Sequence, residues 1–475
     1  MILILTILRA WILAGVAIRG ATALGMYMRN DSNNLQDSYK EIRYRVWWSL
    51  YTLEHRLCNM TGRINSIVED HITTPLPLPY DEDDFGSTEA SELLTKEKQQ
   101  GERNPASSRS SSIISSNPVT ERSNSLSKPD FSRTPSEQAE LEWAKNVPPN
   151  GSLYFLHLVQ LTRLTQGIFH KLYTPAAISG SWKHVQTVID DLQRHLDDWY
   201  KALPVTFDFK RKQRDKEFYE YRLGLGFFYY GTCITINRPT LCRLDRKMPR
   251  QSKESSEFNS GAAARCLEAA IDMLTLIPDE PNAIGLNRIG PFFSLLHWLM
   301  QACTVLMLEL SFRVYHMPQE AENILEAAKK AVRWIHSMGE ENPSARRAWI
   351  FCNAMLRQAA RKIGREVHDL PEQPPGRQPS MSSQGRSEGS RMSYQPQQGQ
   401  QQHPSMFAGT PNFGVQQYAS FDPLMQHDQY FPDDSGSQNQ LHYGQTSATE
   451  MYFMSQSYLD GQDHEQVDGD ISRFN

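Results

Sequence analysis

The signatures of catalysis and metal binding are missing from this chain of 475 residues. No Gly-x-Gly-x-x-Gly follows a strand pattern, and no P-loop, His-Glu-x-x-His or Gly-x-Ser-x-Gly occurs. Nucleotide cradling, zinc proteolysis and serine hydrolysis therefore lack their usual marks. The 14 histidines are scattered. His184 and His195 are not at metal-ligand spacing, and His297 lies within a helical run, so all three read as core-edge or surface residues. The six cysteines, Cys58, Cys233, Cys242, Cys266, Cys303 and Cys352, form no Cys-x-x-Cys pair. Closely spaced thiolates are what a zinc site needs. Buried thiols in a reducing compartment are expected instead. Charge of one sign is lacking too. The net charge is −5. Residues 371–475 hold 12 Asp/Glu and 4 Lys/Arg, which leaves +3 for the rest. That balance excludes the basic excess of a free-standing nucleic-acid binder. No strand alternation or hairpin signal stands out.

What is present is amphipathic helix between low-complexity stretches. The hydrophobic fraction of 39 % is low, and the shortfall is local. Residues 85–138 form a Ser-rich insertion, and residues 371–475 form a Gln/Ser/Pro-rich tail. Both are too poor in aliphatics to bury a core and are expected to be disordered. Roughly 320 residues remain, enough for a sizeable core. Helices are expected near 4–27, 38–60, 153–172, 185–203, 218–238, 262–277, 291–314, 319–338 and 344–366. Pro291 suits a first helical position, and Glu309 and Arg313 stand at an i, i+4 spacing. The expectation is an all-α, multi-helix domain over 1–370, interrupted by the 85–138 insertion.

The amino-terminal run MILILTILRAWILAGVAIRGATALGMYM has two readings. Arg9 and Arg19 break it below the ~20 uncharged residues a bilayer needs, and no basic region precedes it, as a signal peptide requires. Ala10, Leu13, Ala14, Ala17, Ala21, Leu24 and Gly25 give a small-residue stripe suited to a packed helix. The alternative is a membrane-tethered or secreted helical protein that uses Met1–Met28 as anchor or signal.

Residues 43–79 carry the most information. Tyr39, Ile42, Val46, Leu50, Leu53, Leu57 and Met60 recur at steps of three and four, which predicts one buried helix face. Trp47 and Trp48 add apolar area beside it. Gly62 suits a chain reversal. Pro75, Pro77 and Pro79 hold the following strip extended. The pattern Arg45-x-Trp47-Trp48, with Ser49-Leu50-Tyr51, Thr61-Gly62-Arg63 and Pro75-Leu-Pro-Leu-Pro79, resembles the middle homology region of fungal zinc-cluster transcription factors. Ile64 departs from it, because the family often has proline after Gly-Arg. The likeness continues through the helices to about Leu370 and includes Asn237-Arg238-Pro239, where Pro239 would stop a helix and Arg238 would bond its last carbonyls. The resemblance implies a regulatory domain acting in the nucleus on RNA polymerase II transcription, with no enzyme activity. Family members bind zinc through a six-cysteine cluster. That cluster is not found here, and the chain begins inside the regulatory region. Cofactors are therefore expected to be none, and DNA would be reached only through the missing cluster. A small-molecule effector and a homodimer are among the partners implied.

Two further segments bear on that reading. Lys210, Arg211, Lys212 and Arg214 form a basic run suited to nuclear import or to a solvated helix entrance. Asp81–Asp84 reads as a solvated loop. The tail is acidic and dotted with aromatics, most densely from Phe421 to Asp434. Acidic residues beside exposed apolar ones are the composition of activation segments. Phe421, Leu424, Tyr430 and Phe431 are the residues expected to contact the transcription machinery or a coactivator.

Overall fold

Four helices start where a side chain satisfies the first free backbone N–H groups. The Asn150 Oδ1 accepts from Leu153 N at 2.7 Å. Ser181 and Ser252 do the same for His184 N and Ser255 N. Asn342 accepts from Ser344 N and Ala345 N, with Pro343 at the first helical position. The computed structural model describes residues 2–30, 32, 34–85, 87–88, 147–174, 177, 181–211, 217–243, 252–289 and 294–376. The helices are α1 (Ile2–Ala23), α2 (Asp37–Thr61), α3 (Gly151–Leu172), α4 (Trp182–Lys201), α5 (Tyr219–Asn237), α6 (Lys253–Thr275), a short α7 (Ala283–Ile289), α8 (Leu295–Ser311), α9 (Ala321–Gly339) and α10 (Pro343–Lys362). No strand occurs among the described residues. The fold is all-α, as the periodicity predicts. Almost all of the Ser-rich insertion, and the tail beyond Gly376, lie outside the described residues.

Neighbours in sequence pack as pairs: α1 with α2, α3 with α4, α5 with α6, and α9 with α10. Helix α8 lies among α5, α6, α9 and α10. Its Leu295, Trp298, Leu299, Ala302, Cys303, Leu306 and Leu310 are all buried, the state expected of a helix that is apolar nearly all round. Close approach of α5 and α8 depends on Gly231, where a Cβ would meet Gln301 Oε1 at 3.1 Å and the Trp298 ring at 3.3 Å. Phe227 stacks on Trp298 with ring centroids 5.1 Å apart.

The structure departs from the expected α8 at its end. The helix stops at Ser311, because Arg313 and Val314 adopt left-handed φ of 60° and 56°. Glu309 therefore does not pair with Arg313. Its buried carboxylate accepts instead from His316 N at 2.6 Å and Met317 N at 3.2 Å, and meets His316 Nδ1 at 2.7 Å. Three donors on one buried carboxylate offset the strain of two left-handed residues, which cost about 1–3 kcal/mol each. Residues 290–293, including Pro291, lie outside the described residues.

The first two helices also bury faces other than those expected. In α1 the buried residues are Ala14, Ile18 and Ala21, while Leu13 and Ala17, and Leu24 just after the helix, face solvent. In α2 the inner face is Tyr44, Trp47, Trp48, Tyr51, Leu57 and Cys58, together with Lys40, Glu41, Glu54 and His55. Of the predicted stripe, Tyr39, Ile42, Val46 and Leu53 lie outside, Leu50 and Met60 are half-buried, and Leu57 is buried. Helix α2 has two apolar faces, one aromatic and one aliphatic. The aromatic face wins the interior because it buries more area and brings polar groups that find partners there. Trp47, Trp48 and Tyr51 form a small cluster with Ile18, Ala21, Ile67 and Val159. The larger cluster runs through α3 to α10.

No helix of the described residues is long and apolar enough to cross a membrane. The two sides of the Ser-rich insertion touch directly, since Val159 of α3 belongs to the α1–α2 cluster. Limited proteolysis should therefore cut within 89–138 while the two fragments co-elute under native conditions. Their separation on a sizing column would contradict this packing.

Candidate functional site

The region that the sequence singles out folds into a joint around Arg45. Position 45 falls on the flank of α2, four residues after Glu41. The pair forms Nε–Oε1 contact at 2.9 Å, with the carboxylate buried. Only the planar fork of an arginine has enough donors to serve a carboxylate, a hydroxyl and backbone carbonyls at once. Nη1 donates to Ser152 Oγ at 3.2 Å, and Nη2 donates to Leu78 O at 3.0 Å and to Tyr80 O. The guanidinium also lies 4.7 Å from the centre of the Phe85 ring. Glu41 returns the connection, because its Oε1 accepts from Leu78 N at 2.8 Å. Burial pushes the Glu41 carboxyl up, and Arg45 and Leu78 N oppose that shift. The arrangement clamps the proline strip between α2 and the start of α3. Ser152 Oγ adds a bond to Asp81 at 2.7 Å, and Asn150, the cap of α3, donates to Pro79 O at 2.9 Å. The strip needs such side-chain donors because its prolines supply no N–H of their own.

Trp47 and Trp48 are both 2 % exposed. Trp48 Nε1 donates to Pro75 O at 2.6 Å, and its ring meets Tyr51 edge-on at 5.2 Å. Trp47 packs beside Tyr27 at 6.0 Å. Tyr51 bonds the Glu69 carboxylate, which Arg163 of α3 approaches to 3.9 Å. Pro77 and Pro79 are buried and Pro75 half-buried. Gly62 ends α2 in the left-handed region at φ 64°, with its N–H on Cys58 O. Arg63 is exposed and lies 5.6 Å from the Trp11 ring of α1. The strip also ties down the α1–α2 connection. Thr73 N and Thr74 N donate to Tyr27 O, and Thr74 Oγ1 donates to Met26 O.

Arg238 and Pro239 lie away from this joint, in the 3-10 turn that follows α5. Arg238 does not bond the last carbonyls of α5 with its side chain. Its Nε donates to Tyr173 OH at 3.2 Å, and that hydroxyl donates to Thr235 O at 2.6 Å. The aromatic residue thus stands between the cation and the helix end. In the basic run, Lys210 is committed to the fold, with its Nζ 4.1 Å from the centre of the Tyr200 ring and 3.3 Å from Tyr229 OH. Arg211 pairs with Asp208 at 3.0 Å. Lys212 and Arg214 lie outside the described residues, as do Phe421, Leu424, Tyr430 and Phe431.

The polar interior of α2 has almost no signal in the sequence. Glu54 Oε1 accepts from Ser66 N and Oγ, holding the loop after Gly62. His55 Nδ1 and Gln166 Oε1 are 3.0 Å apart, and the ring lies beside Phe169 and Phe228. The one signal present is the i, i+4 spacing of Glu41 and Arg45. The remaining partners are separated by between 12 and 111 residues. Among the described residues, no group of three or more His, Cys, Asp and Glu could hold a metal. The cysteines do not fit a zinc cluster. They are spread over α2, α5, α6, α8, α10 and the turn after α5, and five of the six are buried. Burial pushes the Cys58 and Cys233 thiols up to about 12, away from the thiolate that zinc requires.

Residues 4–201 match the family described as the fungal specific transcription factor domain. Transcription regulator galc of Aspergillus niger is 29 % identical over 76 % of this chain and 46 % of its own length. Transcriptional activator protein DAL81 of Saccharomyces cerevisiae is 26 % identical over 60 % of this chain and 28 % of its own. An uncharacterized transcriptional regulatory protein of Schizosaccharomyces pombe is 23 % identical over 55 % of this chain and 25 % of its own. The chain spans less than half the length of these curated relatives. No solved structure matches it.

The joint predicts its own energetics. Arg45→Ala leaves the buried Glu41 carboxylate without its cation, with only the Leu78 N–H bond kept, and should cost about 3–5 kcal/mol. Trp48→Ala should cost about 3–5 kcal/mol through lost burial and a cavity. Both act on the same strip, so urea unfolding of the double variant should show a loss smaller than the sum. Strict additivity would mean that the two contacts are independent.

A pH effect follows from His55. Burial first, then the nearby Arg56, lowers its imidazole to about 4, against the opposing hydrogen bond from Gln166. The unfolded chain takes up a proton near pH 6.5 that the folded chain refuses. Stability should therefore fall as pH drops from about 6.5 towards 4, by about 2 kcal/mol from this group at pH 5. His55→Gln should flatten that slope in unfolding curves at pH 7 and pH 5. An unchanged slope would assign the acid sensitivity to other groups.

Proposed function

We propose that this chain is the regulatory and activation portion of a fungal transcription factor that acts in the nucleus on RNA polymerase II transcription. The observation that carries this reading is the match of residues 4–201 to the fungal specific transcription factor domain. It is supported by the burial of the Arg45–Trp48 signature in the joint with the proline strip. In this reading the helical domain is a scaffold, not an enzyme. Its best-placed ionisable groups are taken up in holding α2, the strip and α3 together. Specific DNA contact needs a zinc cluster that these residues do not supply, and the near-neutral charge outside the tail adds little nonspecific affinity. The acidic-aromatic segment Phe421–Asp434 contacts the transcription machinery or a coactivator. A small-molecule effector bound among the helices, and a homodimer, are the regulatory partners of this reading. The run Lys210 to Arg214 supplies nuclear import.

The test is a fusion of residues 405–475 to a heterologous DNA-binding domain with a reporter. It should activate, and activity should fall when Phe421, Leu424, Tyr430 and Phe431 become Ala. It should fall less when Asp422, Asp428, Asp433 and Asp434 become Asn, because apolar burial drives the contact while charge steers the encounter. An inert fusion would remove the activation half of the proposal.

A further inference from the structure

Lys40, Lys201, Lys253, Lys329 and Lys330 pair with Asp37, Asp198, Glu257, Glu326 and Asp279. Lys210 meets aromatic rings instead. Its Nζ lies 4.1 Å from the centre of the Tyr200 ring and 4.8 Å from that of Tyr229. Both distances fall inside the ~6 Å over which a cation–π contact acts. The walls of this seat come from three elements. Tyr200 stands near the end of α4, and its hydroxyl donates to Asp208 Oδ1 at 2.6 Å. Tyr229 belongs to α5 and has Trp199 stacked against it at 6.1 Å. Phe209, between those helices, packs against Tyr200 at 5.4 Å and Tyr229 at 5.2 Å. Its ring lies close to α5 because Gly226 has no side chain, and a Cβ there would meet Phe209 Cγ at 3.2 Å. Lys210 N donates to Asp208 Oδ1 at 3.0 Å, which anchors its backbone beside the rings.

A primary ammonium does not match this seat. Among the described residues, its N–H donors have one acceptor, Tyr229 OH at 3.3 Å. Asp272 of α6 feels its charge without forming an ion pair: burial pushes that carboxyl up, and the Lys210 charge opposes the shift. A lysine ammonium is compact, strongly hydrated and rich in donors. Ring faces attract its charge but replace little of that hydration. Each methyl group added to Nζ removes a donor, keeps the charge and adds apolar contact with the rings. Two methyl groups leave one N–H for the one acceptor. We propose that Lys210 is a methylation site, dimethylated at Nζ and held in that state by the cage of Tyr200, Phe209 and Tyr229. In each transfer the ammonium first loses a proton to solvent. The Nζ lone pair then forms the N–C bond to the methyl group of a sulfonium donor. The S–C bond breaks, and its electron pair stays on sulfur as a thioether. Lys210 is exposed and stands in the connection between α4 and α5, where a transferase can draw it out. The methylated side chain then fastens that connection. The cage holds Lys210 whether or not the run from Lys210 to Arg214 serves import.

The experiment places dimethyl-lysine at position 210 of the full chain by stop-codon suppression. Cleavage at Arg211 by an arginine-specific protease is then followed under native conditions, where the rate reports local opening. Cleavage should be about two- to fivefold slower than in the unmodified chain, the range that a moderate cation–π gain supplies. A synthetic peptide of residues 205–216, with and without the methyl groups, corrects for the protease's own preference. Tyr200→Leu should bring the corrected ratio to about one, with an unchanged near-ultraviolet circular dichroism spectrum as the control for folding. Tyr229→Phe keeps the ring and removes the acceptor, so trimethyl-lysine should then slow cleavage as much as dimethyl-lysine. In a second arm the full chain is recovered from a fungal host and Lys210 is mapped by mass spectrometry. The expected result is a dimethylated Lys210 beside unmodified Lys183 and Lys201. Equal corrected rates, or a slower rate that survives Tyr200→Leu, would overturn the cage. An unmodified Lys210, or methyl groups spread over Lys183 and Lys201 as well, would overturn the site.

Discussion

The fold depends on one constraint: the prolines that hold residues 75–79 extended also leave carbonyls with few backbone partners. Arg45 and Trp48 resolve it. The guanidinium and the indole N–H bring donors to Pro75, Leu78 and Tyr80 from one flank of α2. Glu41 keeps the guanidinium oriented and accepts from Leu78 N. Asn150 adds a donor at Pro79 while its Oδ1 opens α3. A short extended strip thereby becomes the seam between the parts of the chain before and after the Ser-rich insertion. Buried charge is costly on its own, and here it is kept because each member of the pair also meets the backbone.

The same device appears elsewhere. The Glu309 carboxylate gathers the N–H groups of a left-handed turn after α8. Glu54 holds the loop after α2 through Ser66. In each case a carboxylate that a binary pattern would set outside lies inside, and its partners are backbone donors of an irregular segment. The helices supply the apolar bulk, and these few acids fix how the connections run between them. Outside that core, α1 and α2 keep a second, exposed apolar face.

Much of this architecture was legible. Apolar period placed nine of the helices, although it set the start of α6 near 262, well inside the helix that Ser252 opens at Lys253. The absence of polar residues from most of α8 marked it as central. The choice between the two apolar faces of α2 was not legible. Spacing of three and four fits both the aliphatic stripe and the aromatic one, and a period alone has no phase preference when each face is apolar. The partner of Arg238 was equally hidden, since Tyr173 lies 65 residues away.

The sequence by itself determined the all-α class, most helix positions other than the start of α6 and the short α7, and the reversal at Gly62, because these depend on local sterics and period. The resemblance carried by Arg45, Trp47 and Trp48 pointed to the family whose model matches residues 4–201. Only the tertiary structure decided that Glu41, Glu54 and His55 are inside while Tyr39, Ile42 and Val46 are outside. Burial of an ionisable group is set by whether a donor or acceptor awaits it, and those here come from Leu78, Ser66 and Gln166. Such partners lie between 12 and 111 residues away along the chain. No local window contains that information, so the interior of α2 became readable only once the chain had folded back upon itself.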